Sequence, residues 1–279
     1  MQVALAQVCS LAAPFETDIA DYAAARCEYV EIWLGKLETY LESHSPEDVR
    51  RLFADHRVTA PVASYQGGLL NDTDARGSET WDHFVRRLEI CRQLDIATLV
   101  LAADVTDPLT QSLLDQHQAS LVRAATLAGE HGVRLALEFQ ARSAFCNNLQ
   151  TAVALVEQTA SEHLGICLDA FHYFIGPSKP HDLELLQRDN LFHVQLCDLA
   201  GQTRELASDS DRILPGDGDF QLASLVEHLH VIEYEGTVSV ELMNPRIWHV
   251  SPRSFGEIGM TALRKTLGLA SMEDQPPGG

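Results

Sequence analysis

Eight short apolar runs punctuate this chain, and polar, helix-forming stretches separate them. The runs recur about every 35 residues, which is the spacing of repeated strand–helix units. They are rich in Val, Leu, Ile and Ala with little strict alternation, as expected for parallel strands that helices cover. The predicted strands are Val3–Cys9, Tyr29–Leu34, Val58–Tyr65, Ala97–Ala103, Val133–Phe139, Leu164–Ala170, Leu191–Cys197 and Thr237–Leu242.

Repeated units of this kind predict an α/β fold, a single (β/α)8 TIM barrel over residues 1–269. No Gly-x-Gly-x-x-Gly follows the first strand, which disfavours an open dinucleotide-binding sheet. Residues 270–279 are polar and rich in Pro and Gly, as is typical of a flexible tail. Ser45-Pro46 is expected to begin one helix, and Asp107-Pro108 another that ends near Gly132.

Composition limits the partners of the chain. The net charge of −20 disfavours nucleic acid, because binding to a polyanion relies on clustered Lys and Arg. No apolar run reaches the roughly 20 residues of a membrane span, and the first residues lack the basic region of a signal peptide, so we expect a cytoplasmic protein. The six cysteines are scattered without a Cys-x-x-Cys pair, which favours reduced core thiols over disulfides or a zinc site.

Four oxygen-bearing side chains lie at the carboxyl ends of predicted strands: Glu138, Asp169, Gln195 and Glu241. A carboxylate within a buried strand is costly unless it is paired or bound to a metal. Each acid alone could simply end its strand as a helix cap, but four such positions predict one site, because the strand ends of a barrel converge. The set is hard and oxygen-rich, which favours Mn²⁺ or Mg²⁺, with Co²⁺ as an alternative.

The chain resembles the xylose isomerase-like barrel superfamily, which includes sugar isomerases and epimerases, inosose dehydratase, sugar-type 3-dehydroshikimate dehydratases and endonuclease IV. The motifs that carry the resemblance are Leu135-Ala-Leu-Glu138, Leu168-Asp-Ala-Phe-His172, His193-Val-Gln-Leu-Cys-Asp198 and Val240-Glu-Leu-Met-Asn244. It implies that the metal ligands fall on Glu138, Asp169, position 195 and Glu241. Ketose epimerases of the family usually have His at the third position, whereas Gln195 is closer to the dehydratase-like branch.

The resemblance also implies a substrate-facing or supporting role for His172. Arg212 opens a Pro/Gly-shaped loop, residues 212–219, that resembles the substrate loop of the family. The loop after the third strand, Ser64-Tyr-Gln-Gly-Gly68, offers Gln66 as a substrate contact. It lacks the Arg that the dehydratases use near a carboxylated substrate, which argues against 3-dehydroshikimate itself.

Several other residues follow or end predicted strands. Lys36, Arg142 and Arg246 are candidate substrate contacts at the barrel mouth, and a surface position is the alternative for each. His193 precedes Gln195 by two residues and therefore shares its inward face one layer deeper. Glu31 and Trp33 are equally compatible with a mouth contact and with the core.

The expected chemistry is proton abstraction next to a carbonyl. A divalent ion that coordinates a hydroxy-ketone polarises the carbonyl and stabilises the enediolate, while Glu138 and Glu241 transfer protons on its two faces. We therefore expect a metal-dependent isomerase or epimerase of a sugar or keto-polyol. A lyase that dehydrates a keto-sugar or keto-cyclitol and a non-catalytic sugar-binding barrel stay open, as does assembly into a homo-oligomer. An endonuclease is disfavoured, since it requires a basic groove and a His-rich metal cluster.

Overall fold

A closed barrel of eight parallel strands in sequence order forms the centre of the computed structural model. The structure describes residues 1–70 and 76–269, with the backbone alone at residues 76–78. The predicted (β/α)8 barrel is confirmed, whereas the predicted tail, residues 270–279, lies outside the described residues. The strands are β1 (Gln2–Ala6), β2 (Tyr29–Trp33), β3 (Thr59–Gln66), β4 (Thr98–Ala102), β5 (Arg134–Glu138), β6 (Leu164–Asp169), β7 (Leu191–Leu196) and β8 (Thr237–Val240).

Helices surround the barrel and cover its outer face. They are α1 (Phe15–Ala24), α2 (Leu34–Leu41), α3 (Pro46–His56), α4 (Arg76–Gln93), α5 (Gln111–Glu130), α6 (Leu149–Thr159), α7 (Ala170–Ile175), α8 (Leu222–Val231) and α9 (Pro252–Thr266). The main apolar core lies between strands and helices. Among the described residues, no helix has both the length and the apolarity that a membrane span requires.

The interior of the barrel is divided into an apolar and a polar side. Val62, Val100, Ala136 and Cys167, from β3 to β6, form a small apolar cluster with Phe192. Polar side chains of β2, β7 and β8, all fully buried, occupy the other side: Glu31, His193, Gln195 and Ser239. Burying polar groups is tolerated only where they are hydrogen-bonded, so this side has to form a connected network.

The predicted helix starts had different outcomes. Ser45 caps α3 through a capping box with Asp48, and Pro46 occupies the first turn, as predicted. The start predicted at Asp107-Pro108 is wrong, because α5 begins at Gln111. There the Thr110 hydroxyl accepts a hydrogen bond from the Leu113 N–H at 3.2 Å. This bond satisfies one of the free backbone donors of the first turn, which a cap at Asp107 does not reach.

A buried carboxylate shapes the loop between β7 and α8. Asp198, which is 1% exposed, accepts hydrogen bonds from the backbone N–H groups of Leu199 (2.8 Å), Phe220 (2.9 Å) and Gly216 (3.1 Å). Three donors on one carboxylate draw the two ends of the loop together. The loop carries Arg212 and therefore holds that side chain over the carboxyl ends of the strands.

Gly218 is expected to be intolerant of a side chain. A Cβ at this position would lie 2.4 Å from both Asp198 Oδ1 and the carbonyl oxygen of Leu199. Gly218→Ala should lower the free energy of unfolding by about 1–3 kcal/mol, measured by urea denaturation. Gly35→Ala is the control, because its Cβ would come no closer than 3.4 Å to a neighbour and helix α2 favours Ala. Equal stability of Gly218→Ala and the wild type would show that the loop is not packed in this way.

Candidate metal centre

Three acidic residues from different strands meet at the barrel mouth. Glu138 ends β5, Asp169 ends β6 and Glu241 directly follows β8; their side chains are at most 6% exposed. One ligand atom from each of Glu138, Asp169 and His172 lies within 4.8 Å of the other two. The carboxyl ends of the strands thus bring these groups to one place, as the barrel geometry requires.

A cavity of about 220 Å³ opens above these residues. Acidic side chains dominate the charged part of its wall, and Arg212 is the one Lys or Arg that lines it among the described residues. The wall consists of Trp33, Ser64, Tyr65, Val100, Asp104, Glu138, Gln140, His172, Gln195, Asp209, Arg212, Glu241 and Met243. The cavity is therefore small, polar and electronegative.

Arg212 is the buried cation of the site. It is 1% exposed, and its terminal nitrogens donate to Glu241 Oε2 and Asp169 Oδ2, both at 2.7 Å. Asp209 accepts two further hydrogen bonds, and the face of Phe171 lies 4.5 Å from the guanidinium carbon. Burial disfavours the charge, but Asp169 and Glu241 outweigh it and raise the pKa of Arg212 well above its ordinary value. Arg212 thus lines the cavity as a permanently charged group already shared by three carboxylates.

The positive charge near Glu138 and Glu241 is too small to offset the effect of burial on their pKa values. Burial and the neighbouring charge of Asp169 raise the pKa of Glu138 to about 8, and its Oε2 accepts a hydrogen bond from the Gln140 amide at 3.1 Å. Burial raises the pKa of Glu241 well above its ordinary value although Arg212 opposes the shift. Buried carboxyl groups in this state fit a divalent cation, which would supply the missing charge.

His172 lies beside the carboxylates on helix α7. Its Nε2 is 3.6 Å from Asp169 Oδ2, its side chain is buried, and its Nδ1 has no hydrogen-bond partner among the described residues. Burial lowers its pKa against the influence of Asp169, which favours the neutral ring. The sequence motif assigned His172 to the substrate side, and its position within ligand distance of the carboxylates was missed. The signal for it was the spacing of three residues, since Asp169 caps α7 and a helical turn returns His172 to the same place.

Gln195 is fully buried, and its amide contacts three neighbours. The amide nitrogen donates to Glu31 Oε1 at 2.8 Å and to Glu241 Oε1 at 3.0 Å. The amide oxygen accepts a hydrogen bond from the Cys167 thiol at 3.2 Å. Two acceptors lie next to the amide nitrogen and one donor lies next to the oxygen, so the hydrogen-bond partners determine the orientation of the amide group. The role of Gln195 as a metal ligand stays a prediction.

Glu31 connects the polar side chains on one side of the barrel interior. His193 Nε2 lies 3.0 Å from Glu31 Oε2, and the hydroxyls of Ser64 and Ser239 donate to the same carboxylate. Burial opposes ionisation, but the charge of His193 and these hydrogen bonds outweigh it and lower the pKa of Glu31. His193 also reaches the carbonyl oxygen of Thr237 at 3.1 Å, so it lies in the barrel interior, as its alternation with Gln195 suggested.

The structure does not bring Lys36 into the cavity wall. Its ammonium is paired with Asp18 and donates to the carbonyl oxygen of Ser10 at 3.0 Å. Burial raises the pKa of Asp18 to about 7 and lowers that of Lys36, while each partner opposes the shift of the other. Lys36 therefore serves as the counter-ion of a buried carboxylate.

Three other predicted substrate contacts also lie away from the cavity wall. Gln66 donates to the carbonyl oxygen of Gly67 at 2.7 Å and lines a neighbouring cavity of about 600 Å³. Arg142 is exposed and donates to the carbonyl oxygen of Ala207, and Arg246 is exposed as well. Direct substrate contact by these residues stays a prediction that the geometry does not support.

Lys36→Met should destabilise the fold without affecting the chemistry. It leaves Asp18 buried without its counter-ion, and breaking a buried pair from one side costs about 3–5 kcal/mol. The folded-state pKa of Asp18, already raised, should rise further, so the penalty should grow as the pH increases from 5 to 8. Urea denaturation at the two pH values checks this, and Asp18→Asn/Lys36→Met should recover much of the loss. A pH-independent penalty, or a selective loss of turnover, would contradict this account of Lys36.

Metal binding should release protons. The pKa of Glu138 is about 8 without a cation, so a divalent ion has to displace its proton at lower pH. We expect the apparent affinity for Mn²⁺ to rise with pH from 6 to 8. Calorimetric titration of chelator-treated protein in buffers of different ionisation enthalpy measures the proton release. Release that is absent at pH 6.5 would show that Glu138 does not meet the ion.

Comparisons with known proteins identify the family of the chain. The sequence model of the family described as xylose isomerase-like TIM barrel matches residues 19–264. An inosose isomerase of Halalkalibacterium halodurans is 28% identical over 231 residues, which cover 80% of this chain and 81% of the relative. A 3-dehydroshikimate dehydratase of Pseudomonas putida is 27% identical over 255 residues, which cover 88% of this chain but 38% of the relative.

Solved structures show the same fold. The IOLI protein with a bound zinc atom superposes with a TM-score of 0.89 and 21% identity, covering 96% of this chain and 98% of its own. A D-psicose 3-epimerase of Clostridium cellulolyticum, solved with D-tagatose, gives 0.76 and 17% identity over 96% of this chain and 99% of its own. Since the family match spans most of the barrel, the chain belongs to the xylose isomerase-like TIM barrel family.

Proposed function

We propose that this protein is a divalent-metal-dependent isomerase of a neutral keto-polyol that works by proton abstraction next to a carbonyl. The observation that carries the proposal is the pair Glu138 and Glu241, two buried carboxyl groups from β5 and β8 on the wall of one small cavity. An isomerase of this kind needs one group to remove a proton and another to return it, and two carboxyl groups beside one substrate meet that need.

The cation would be held by Glu138, Asp169 and Glu241, with Gln195 or His172 as the neutral ligand. When bound, it supplies polarisation of the substrate carbonyl and stabilises negative charge on the adjacent oxygen. Mn²⁺ or Mg²⁺ suits the oxygen-rich set, while the imidazole of His172 also permits Co²⁺ or Zn²⁺. The IOLI protein, which has the same fold, was solved with a bound zinc atom.

The protein groups then move the protons. One glutamate would accept the proton from the carbon next to the carbonyl, and the other would donate a proton to the former carbonyl carbon. The hydroxyl proton would move to the former carbonyl oxygen, and proton exchange with solvent would restore the two carboxyl groups. Arg212 keeps Asp169 and Glu241 in place, since it bonds to one oxygen of each. His172, neutral and with a free Nδ1, offers a hydrogen bond to a substrate hydroxyl.

The cavity favours a small, uncharged substrate. Its volume of about 220 Å³ is below the roughly 300–1,000 Å³ of pockets for drug-sized ligands, so it suits a single six-carbon unit. Asp104, Glu138, Asp209 and Glu241 line it, and the guanidinium of Arg212 is already shared among carboxylates. A carboxylated substrate would meet this negative charge, whereas a keto-cyclitol of the inosose class would not. The inosose isomerase relatives support that choice.

Elimination of water from a keto-cyclitol or keto-sugar is the second candidate. Gln195 stands where the ketose epimerases usually have His, and the Pseudomonas putida dehydratase matches 88% of this chain. The first step, proton abstraction, is the same in both reactions. The two differ in whether a β-hydroxyl then leaves.

Exchange with heavy water tests the proposal. The Mn²⁺-loaded protein is incubated with an inosose in D₂O, and proton NMR follows the signal of the carbon next to the carbonyl. We expect deuterium incorporation and a product of unchanged mass apart from deuterium; the chelated protein is the control. An enone band in the ultraviolet would instead identify a lyase, and 3-dehydroshikimate tests the carboxylated alternative. No exchange with any keto-cyclitol or keto-sugar would refute the proposed chemistry.

Glu138→Gln and Glu241→Gln should each abolish most turnover while the metal is retained. An amide keeps an oxygen donor but cannot accept a proton, and general acid–base steps contribute about 100- to 10,000-fold. Steady-state kinetics on the identified substrate and elemental analysis of each variant provide the measurement. A large defect in only one variant would favour elimination, which can use a single base. Near wild-type rates in both, with metal bound, would rule out the glutamate pair.

A further inference from the structure

A further carboxylate, that of Glu31, lies beneath the candidate metal centre without lining the cavity. Glu31 is 0% exposed on β2, and it reaches Gln195 on β7 with Oε1 2.8 Å from the amide nitrogen. The two residues are 164 positions apart in the chain, so the contact exists only in the closed barrel. Glu31 is therefore placed to act on the site through Gln195.

We propose that Glu31 is a positioning residue of the metal centre, which anchors the nitrogen of the Gln195 amide and leaves its oxygen as the end that binds the cation. The inference rests on the proposed function, because it takes Gln195 to be a ligand of the same cation. It adds a residue that never touches the substrate.

The two ends of the Gln195 amide are held unequally. The nitrogen donates to Glu31 Oε1 at 2.8 Å and to Glu241 Oε1 at 3.0 Å, and the shorter bond goes to an ionised carboxylate, which is a strong acceptor. The oxygen accepts only from the Cys167 thiol at 3.2 Å, and an S–H group is a weak donor. A divalent cation can take the place of the thiol as the partner of the amide oxygen. If the amide turned over, its oxygen would instead face two carboxyl groups.

Glu31 is itself fixed in place. Ser64 on β3 and Ser239 on β8 donate to its carboxylate, and His193 Nε2 on β7 lies 3.0 Å from it. Because these contacts come from three strands, any other rotamer of Glu31 would lose buried hydrogen bonds. A fixed acceptor on the N–H also increases the electron density on the amide oxygen. Carboxylates behind metal-bound histidines act in the same way on the imidazole.

Calorimetric titration with Mn²⁺ tests the role of Glu31 on the full chain after chelator treatment. The variants are Glu31→Gln, Gln195→Met and the double variant. We expect Glu31→Gln to weaken Mn²⁺ binding by about 10- to 100-fold, the usual effect of changing a group behind a metal ligand. In the Gln195→Met background the same change should cause no further loss, because its intermediary is gone.

Asp18→Asn is the matched control. Asp18 is another fully buried carboxylate, and it pairs with Lys36 rather than with the site. The same acid-to-amide change there should leave Mn²⁺ affinity unchanged even if stability falls. The optical spectrum of the Co²⁺-loaded protein is a second readout: its d–d bands should shift in Glu31→Gln and Gln195→Met but not in Asp18→Asn.

The outcomes separate the two proposals. Wild-type protein that binds no Mn²⁺ would overturn the proposed metal centre and this inference with it. Wild-type binding with equal affinity in Glu31→Gln, or additive losses in the double variant, would overturn the inference alone. Should Glu31→Gln fail to fold, Glu31→Asp retracts the carboxylate by one methylene and should weaken Mn²⁺ binding only while Gln195 is present.

Discussion

One buried guanidinium organises the barrel mouth. Arg212 is 1% exposed and joins Asp169 to Glu241, so two strands that are not neighbours share one cation. Removing such charges from water is costly, and the cost is offset only where each donor has an acceptor. The loop that Asp198 closes holds Arg212 so that its donors meet these acceptors. Because Arg212 is committed to these partners, it leaves Glu138 without a cation, and the excess negative charge makes a divalent ion the natural complement of the site.

The metal ligands alone do not decide between isomerisation and elimination. Both reactions begin when a carboxylate takes a proton next to a carbonyl, so both place the same demands on Glu138 and Glu241. The outcome depends on which group can donate a proton to a β-hydroxyl, and on whether the ring is held so that this hydroxyl can leave. Candidates for such a group lie at the barrel mouth, such as His172 on helix α7. Relatives of similar identity accordingly include both an inosose isomerase and a 3-dehydroshikimate dehydratase.

The strands and their convergent acids could be predicted because both follow from local pattern. An apolar run that ends in a carboxylate marks a strand, and barrel closure places its end at the mouth. Lys36 could not be assigned in this way, since its partner Asp18 comes from α1, outside the strand pattern. The start of α5 depended on the capping bond of Thr110, which competes with an equally plausible Asp-Pro signal. Predictions failed where a choice between similar local signals depends on contacts distant in sequence.

An amide at position 195 raises a problem that a histidine would not. A histidine ring can move its proton to the nitrogen that faces away from a cation, whereas an amide cannot exchange its two ends and can turn an N–H₂ group toward the cation. As a metal ligand, Gln195 would need an acceptor on its nitrogen, and Glu31 supplies one from β2. Glu31 in turn requires donors, and Ser64, His193 and Ser239, which contact it, make this side of the interior polar. On the proposed role of Gln195, the polar side of the barrel is thus the structural consequence of using a glutamine at the mouth. The four-residue ligand motif in the sequence does not reveal these supporting residues.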